Sequence, residues 1–240
     1  MEFNMSLRER YRQIESVTKY SNYYLGKCYT WLSIPVTDAA ARLGLHPNHM
    51  TLISLVLGLT ACGFFYQGST AALILGAVIL YVSYVLDWCD GQLARHTGKM
   101  SPFGGWLDQM CDRIKEFAYV TTLALGYSRT HDGATSVYLW ALGALFFLFL
   151  LEYYGQMNRA IPQPGADQQA AASVGPVLGR PTAGRRKFVI DFSIDEQYAF
   201  VVLASAIVGG YWTLVGIVVI SALFAIYKPL KAWKSYFSMK

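Results

Sequence analysis

The sequence predicts an all-α integral membrane protein with six transmembrane helices and an amphipathic juxtamembrane helix at the N-terminus. The chain of 240 residues is 54% hydrophobic and only 15% charged, whereas soluble domains carry about 25% charged residues. A spanning helix needs roughly 20 mostly apolar residues, so the shorter apolar runs must extend through polar neighbours. Six runs are almost free of charge: 50–66, 71–86, 117–127, 137–153, 198–208 and 211–227.

The distribution of basic residues predicts the orientation. With six spans and a cytoplasmic N-terminus, every one of the 20 Lys and Arg residues except Arg129 falls on the cytoplasmic side. Basic residues concentrate in cytoplasmic loops of membrane proteins. We therefore expect both termini to face the cytoplasm, in the cytoplasmic membrane. The first forty residues lack the apolar core and cleavage site of a signal peptide, so we expect none to be removed.

We expect one membrane domain with short flanks. Residues 1–45 form an amphipathic segment at the cytoplasmic surface, and the three- and four-residue spacing of apolar positions in 6–33 predicts one helix there. This helix lies on the membrane surface or packs on the protein's own cytoplasmic end, beside the active-site mouth in either case. Residues 46–230 form the six-helix domain, including a flexible Pro- and Gly-rich cytoplasmic loop at 159–193, and 231–240 form a basic cytoplasmic tail.

Four carboxylates interrupt the apolar pattern where the second predicted span ends and the third begins. They are Asp87, Asp90, Asp108 and Asp112. An aspartate at the centre of a membrane helix costs about 2.5–3.5 kcal/mol, so four uncompensated ones would cost roughly 10 kcal/mol or more. We therefore expect positive charge to lie beside them.

Helix geometry predicts that these carboxylates share two faces. At about 100° per residue, one face of the second span holds two aspartates and two small residues, Asp87, Asp90, Gly91 and Ala94. A stripe on the third span holds Gly104, Asp108 and Asp112. Since only a short turn joins these spans, we expect them to be adjacent and antiparallel, with the aspartates facing each other near the cytoplasmic side.

Such a cluster favours divalent-metal chemistry. All-oxygen ligands, without His or Cys among them, suit hard ions such as Mg²⁺, Mn²⁺ or Ca²⁺. The four cysteines, Cys28, Cys62, Cys89 and Cys111, show no zinc or disulfide spacing and are expected to be buried as small apolar residues. A metal beside small residues suits phosphoryl transfer, with one carboxylate taking the acceptor's proton. Intramembrane aspartates also serve ion or proton transport, but here they cluster at one end rather than forming a path across the bilayer.

Residues 87–112 resemble the signature of the CDP-alcohol phosphotransferases, D-x2-D-G-x2-A-R-x8-G-x3-D-x3-D. All eight specified positions are filled: Asp87, Asp90, Gly91, Ala94, Arg95, Gly104, Asp108 and Asp112. The resemblance implies that the four aspartates bind two divalent cations, Mg²⁺ or Mn²⁺, and that Asp112 is the general base, acting with Asp108 at the catalytic centre. It also implies a homodimer.

The resemblance implies a nucleotide site as well. Gly91, Ala94 and Gly104 would leave space on the side of the cytidine nucleotide, and Arg95 would lie near its phosphates. Residues 46–51, His-Pro-Asn-His-Met-Thr, resemble the family's "(T)PNxxT" entry to the first span, with His46 in place of Thr. Asn48 and Thr51 would then contact the nucleotide. The alternative for these two residues is N-capping of the first span.

The implied reaction is attack of an acceptor hydroxyl on the phosphorus that carries the donor alcohol, with release of CMP. We expect CDP-diacylglycerol as donor and inositol phosphate or a similar polyol phosphate as acceptor, in phospholipid biosynthesis, and no nucleic-acid partner. The alternative donor is a soluble CDP-polyol such as CDP-inositol. Basic residues near the site either bind an acceptor phosphate or only set topology: Arg113, Lys115, Arg159, Arg185, Arg186 and Lys187. Glu116 is expected to pair with a nearby base.

Overall fold

A computed structural model describes residues 6–19, 23–160 and 194–237 of the chain. This part of the chain is helical and contains no strand, which confirms the all-α prediction. Its helices in chain order are α1 (Leu7–Val17), α2 (Tyr23–Arg42), α3 (Pro47–Gln67), α4 (Thr70–His96), α5 (Pro102–Thr130), α6 (Ser136–Ala160), α7 (Ile194–Ile207) and α8 (Gly209–Phe237).

The single helix predicted for residues 6–33 is wrong. Ser6 and Glu9 form a capping box that starts α1, and Thr18 leaves the helical conformation at ψ 129°. Thr18 Oγ1 donates to the Ile14 carbonyl at 2.8 Å, a local bond that competes with helix continuation. The apolar pattern did not reveal the break because Val17 and Tyr24 are seven residues apart, about two helical turns, so the same face resumes in α2.

The N-terminal helices pack on the protein itself. Helix α1 contacts α2 and α4, and α2 packs along α4. Arg10 Nε donates to Asp38 Oδ1 at 2.7 Å, which ties α1 to α2. Pro35 lies inside α2.

Helix α3 packs extensively against both α4 and α5. His46 caps its N-terminus, with Pro47 in the first turn, and Gly68 ends it in the left-handed conformation at φ 74°. A side chain at Gly126 of α5 would collide with the Phe65 carbonyl of α3, so the two backbones approach closely there.

The aspartates of α4 and α5 face each other as expected, but the two helices do not pack closely on each other. Although consecutive, these helices make little or no backbone contact within the described residues, whereas each packs extensively on α3. The charged side chains of α4 and α5 reach across the gap between them, as the contacts of Lys115 with Asp87 show. The site therefore lies between two helices that α3 holds apart.

Four helices are long and apolar enough to cross a membrane: Pro47–Gln67, Thr70–His96, Ser136–Met157 and Gly209–Trp233. Helix α6 also presents an exposed apolar stripe at helical spacing, Leu139, Leu142, Phe146 and Phe149, as expected for a lipid-facing surface. The protein is thus an integral membrane protein, as predicted.

The count of six spans stays a prediction. Helix α5 has 29 residues, which is sufficient length, but its first half is strongly charged. Helix α7 has 14 residues, fewer than a bilayer requires. Most of the predicted loop, residues 161–193, lies outside the described residues.

Candidate active site

Three of the four signature aspartates converge between α4 and α5. Asp87, Asp90 and Asp108 each offer a carboxylate oxygen, and these oxygens lie within 4.8 Å of one another. Asp90 is buried, and the other two are half-buried. An all-oxygen group of this size and charge fits a hard divalent cation such as Mg²⁺ or Mn²⁺.

Local sequence explains why these carboxylates meet. Asp87 and Asp90 are three residues apart near the end of α4, so they share a face. Ser101 caps α5 by accepting a hydrogen bond from the Gly104 amide at 3.0 Å, which fixes the first turn of α5 just before Asp108. The five residues between α4 and α5 bring the two helix ends to the same side of the bundle.

Helix α3 positions two of the aspartates through hydroxyl groups. Thr51 Oγ1 donates to Asp90 Oδ2, and Ser54 Oγ donates to Asp87 Oδ1 at 3.1 Å. Ser83 Oγ donates in turn to the Ser54 carbonyl at 2.7 Å. Sequence reasoning missed Ser54 and Ser83. For Ser54, the sequence did contain a signal: small residues recur at three- and four-residue spacing along the otherwise apolar helix α3, at Thr51, Ser54 and Gly58.

Thr51 and Asn48 are not the cap of α3, which corrects the alternative considered for them. His46 is the N-cap, and its Nδ1 accepts from the Asn48 amide at 3.2 Å. The Asn48 side chain instead lies beside Gly104, where an added Cβ would be 3.2 Å from Asn48 Oδ1. Since Thr51 contacts Asp90 of α4, Asn48 and Thr51 both face the gap between α4 and α5.

Asp112, the fourth signature aspartate, lies outside the three-aspartate group. It is buried, and its Oδ1 lies 3.1 Å from Lys115 Nζ, an ion pair three residues apart on α5. Apart from this ion pair, the oxygen has no hydrogen-bond partner within the part of the chain that the structure describes. The Lys115 ammonium therefore holds the Asp112 carboxylate beside the site.

Two of the basic residues proposed for an acceptor phosphate are already paired. Lys115 is fully buried and directs its ammonium to Asp87 and Asp112. Arg113 forms an ion pair with Glu116, as expected for Glu116. The side chains of Arg159, Arg185, Arg186 and Lys187 lie outside the described residues.

Arg95 connects the site to the N-terminal helix. Its Nε donates to the Val17 carbonyl at the end of α1 at 2.7 Å. Its guanidinium lies over Gly91, where an added Cβ would be 3.2 Å from the nearest nitrogen. Ala94 is half-buried on the same helix. Gly91 thus leaves room for the arginine on the face that carries Asp87.

A buried amide that sequence reasoning did not single out anchors α1 and α2 to α4. Gln92 accepts a hydrogen bond from Thr37 Oγ1 at 2.8 Å. Its amide nitrogen donates to Ser33 Oγ at 3.0 Å and to Thr18 Oγ1 at 3.2 Å. Gln92 occupies an unspecified position of the signature, so the motif offered no reason to select it.

Thr51 yields a prediction about metal affinity. We expect Thr51→Val to weaken Mn²⁺ binding by about 10- to 100-fold, because residues that orient metal ligands have effects of this size. Titration of Mn²⁺ into the purified protein measures this. Thr60→Val is the matched control, since Thr60 Oγ1 bonds only to the Val56 carbonyl of its own helix in the part described. Unchanged Mn²⁺ affinity with a raised KM for the CDP-alcohol would instead make Thr51 a nucleotide contact.

Comparisons agree with this architecture. A family model for the CDP-alcohol phosphatidyltransferases matches residues 44–177, which is more than half of the chain and includes the three-aspartate group. The chain belongs to the CDP-alcohol phosphatidyltransferase family.

Curated relatives include synthases of archaetidylinositol phosphate and of phosphatidylinositol phosphate. The chain is 43% identical over 86 residues to archaetidylinositol phosphate synthase of Pyrococcus horikoshii, covering 36% of this chain and 44% of that one. It is 39% identical over 103 residues to phosphatidylinositol phosphate synthase of Mycolicibacterium smegmatis, covering 41% and 44%. A bifunctional IPC transferase and DIPP synthase of Archaeoglobus fulgidus is 34% identical over 117 residues, covering 49% and 22%. The chain thus spans less than half the length of these relatives.

Solved structures share the fold. The crystal structure of Mycobacterium tuberculosis phosphatidylinositol phosphate synthase with CDP-DAG bound matches with a TM-score of 0.61 and 18% identity, covering 84% of this chain and 93% of that one. The structure of the same protein in complex with manganese and citrate matches with a TM-score of 0.60, also at 18% identity, covering 84% and 88%.

Proposed function

We propose that the protein transfers a phosphatidyl group from CDP-diacylglycerol to a hydroxyl of a polyol phosphate, inositol phosphate in the first instance, and releases CMP in phospholipid biosynthesis. One observation carries this proposal: three of the family's four signature aspartates, from α4 and α5, meet within 4.8 Å at one end of apolar helices. A polar site at the end of membrane helices suits a donor with a lipid tail and a charged nucleotide. The named relatives support the choice of acceptor.

The carboxylates supply the metal site. The resemblance implies two divalent cations, Mg²⁺ or Mn²⁺, in the working complex, and the group of Asp87, Asp90 and Asp108 accounts for one of them. A bound ion neutralises phosphate oxygens and the departing CMP. Thr51 and Ser54 hold two of the carboxylates in place through hydrogen bonds.

Asp112 is the proposed general base. The acceptor's oxygen forms a bond to the phosphorus that carries the donor alcohol, the bond from this phosphorus to the CMP oxygen breaks, and CMP leaves with the electron pair. The proton of the acceptor hydroxyl passes to Asp112, a buried carboxylate whose Oδ1 forms an ion pair with the Lys115 ammonium. A carboxylate in this position contributes about 10²–10⁴-fold to the rate of such a step.

The nucleotide side lies along the small residues of the two helices. We propose that Gly91, Ala94 and Gly104 leave space for cytidine and that Asn48 borders it, because Asn48 Oδ1 already faces Gly104. Arg95, whose guanidinium lies over Gly91, is placed to approach the phosphates.

Location and assembly are further parts of the proposal. The concentration of Lys and Arg on one side supports a cytoplasmic membrane location with both termini and the site facing the cytoplasm. The division into a segment at 1–45, a membrane domain at 46–230 and a tail at 231–240 goes with that orientation. The homodimer rests on the family resemblance alone. Arg159, Arg185 and Arg186 remain candidates for binding the acceptor's phosphate.

A soluble donor is the second candidate function. Several relatives are named bifunctional IPC transferase and DIPP synthase, which favours CDP-inositol as an alternative donor. The two donors give products of different solubility, because only a diacyl product partitions into an organic phase.

The deciding experiment measures CMP released by the purified protein with Mg²⁺ or Mn²⁺. CDP-diacylglycerol is offered with inositol phosphate, inositol, glycerol phosphate or serine in parallel reactions. We expect CMP release that depends on inositol phosphate, with a product extracted into the organic phase. Release with CDP-inositol alone would select the second function. Silence with both donors from folded, metal-loaded protein would contradict both, and metal or proton flux across vesicles without CMP would identify a transporter.

A further inference from the structure

Lys115 places a positive charge inside the bundle next to the aspartates. Its side chain is fully buried. Its Nζ donates to Asp87 Oδ1 at 2.7 Å and to Ser54 Oγ at 3.1 Å, and Asp112 Oδ1 lies 3.1 Å away. One ammonium thus connects an aspartate of α4, an aspartate of α5 and a hydroxyl of α3.

The surrounding residues form a pocket for this side chain. A Cβ added at Gly58 of α3 would lie 2.9 Å from Lys115 Cδ and 3.0 Å from its Cγ, so glycine leaves the space that the lysine stem fills. The Tyr198 ring of α7 lies 5.5 Å from Nζ, within the range of a cation–π contact. Removing an ammonium from water costs several kcal/mol, and this pocket offsets that cost with two carboxylates, a hydroxyl and an aromatic face.

Lys115 contacts two of the four signature aspartates, Asp87 and Asp112, and of these two only Asp87 also belongs to the three-aspartate group. Asp90 and Asp108 belong with Asp87 to the group that fits a divalent ion. Asp112 faces the ammonium instead. A second Mg²⁺ shared by Asp87 and Asp112 would bind about 2.0–2.1 Å from carboxylate oxygens of these two residues, whose Oδ1 atoms already contact Nζ. It would therefore meet the repulsion of a neighbouring positive charge.

Charge balance also favours a single bound divalent ion when no substrate is present. Without substrate, one divalent ion and the ammonium together bring three positive charges to the four aspartates. A second divalent ion would raise this to five and leave a net positive charge in a partly buried site. The second ion of the working complex would then enter with the negatively charged phosphates of the donor.

We propose that Lys115 is a resident cation that takes the place of a second divalent ion, so that the protein without substrate binds one ion per chain. This proposal rests on the metal site of the proposed function and specifies its resting state. In it, Asp87, Asp90 and Asp108 bind the ion, and Lys115 holds Asp112 in position without a metal.

The first test counts the ions in the wild-type protein. The purified, nucleotide-free protein is equilibrated with Mn²⁺, and bound Mn²⁺ per chain is measured by electron paramagnetic resonance and by elemental analysis. We expect one ion per chain. Two ions per chain without nucleotide would overturn the proposal, and so would none.

Variants test the role of the lysine itself. Lys115→Met keeps the length of the side chain and removes its charge, and we expect it to bind two Mn²⁺ per chain. Asp112→Asn combined with Lys115→Met should return the count to one. Lys99→Met, at an exposed position between α4 and α5, is the matched control and should bind one ion. A folded Lys115→Met protein that still binds one ion would contradict the proposal, and if that variant does not fold, the wild-type count decides.

The count is independent of catalysis, so the two proposals fail separately. A wild-type protein that binds one ion but releases no CMP would refute the proposed function and leave the role of Lys115 standing. A protein that binds two ions and releases CMP would refute the role of Lys115 alone.

Discussion

Asp108→Asn is expected to bind no Mn²⁺ and to lower CMP release by at least roughly 10²–10³-fold, the range found when a single group that stabilises transition-state charge is removed. The substitution keeps the shape of the side chain and removes one of the three negative charges that meet within 4.8 Å. Asp108 is also the only member of this group contributed by α5. Its loss would leave two ligands on one helix, too few for a hard divalent ion.

Asp132→Asn is the matched control for this variant. Asp132 is exposed in the turn after α5, at φ 47°, a conformation that Asn tolerates well. We expect it to retain both Mn²⁺ binding and CMP release. If Asp108→Asn bound Mn²⁺ with unchanged affinity, the three-aspartate group would not be the metal site, and a thermal melt would show whether the variant is folded.

Much of the site could be predicted from sequence because it depends on local periodicity. Asp87 and Asp90 share a face of α4 by their spacing, and the short connection to α5 brings Asp108 to the same side. Helical geometry within one element and a five-residue link are enough to place these three residues together. The family signature covers the same segment, so the two arguments agree.

The contribution of α3 could not be predicted in this way. Packing between helices determines which face of α3 turns toward α4 and α5. The spacing of residues within α4 or α5 does not indicate that face. Thr51 was selected through the family motif, but its hydrogen bond to Asp90 was not expected. For the same reason, the sequence did not show that α3 packs against both α4 and α5.

The burial of Lys115 illustrates a further limit of sequence reasoning. A lysine near the predicted cytoplasmic side was interpreted as a topology signal or as a phosphate ligand, and both interpretations assume an accessible ammonium. The structure buries it because Gly58, on another helix, leaves space for its stem. The sequence shows that Lys115 follows Asp112 by three residues. The space that allows the two to pair, however, is left by Gly58 on α3.

Asp112→Asn is expected to lower CMP release by about 10²–10⁴-fold while leaving one Mn²⁺ bound per chain. The loss follows from the proposed role, because an amide cannot take the proton of the acceptor hydroxyl, and general-base catalysis contributes an effect of this size. The retained ion follows from the position of Asp112, whose Oδ1 faces Lys115 rather than the three-aspartate group. Comparison with Asp108→Asn thus separates the base from the metal ligands.

CMP release and bound Mn²⁺ must be measured on the same preparation of Asp112→Asn. Loss of both would make Asp112 a metal ligand and would contradict the assignment of Lys115 as the resident cation. Retention of both would remove Asp112 from the reaction and require another base. Glu116 is an alternative on α5, one turn further on and buried; its Oε2 pairs with Arg113, and its Oε1 has no hydrogen-bond partner within the described residues. In that case a Glu116→Gln variant that keeps CMP release would exclude Glu116 as the base, and one that loses it while retaining Mn²⁺ would assign the role to Glu116.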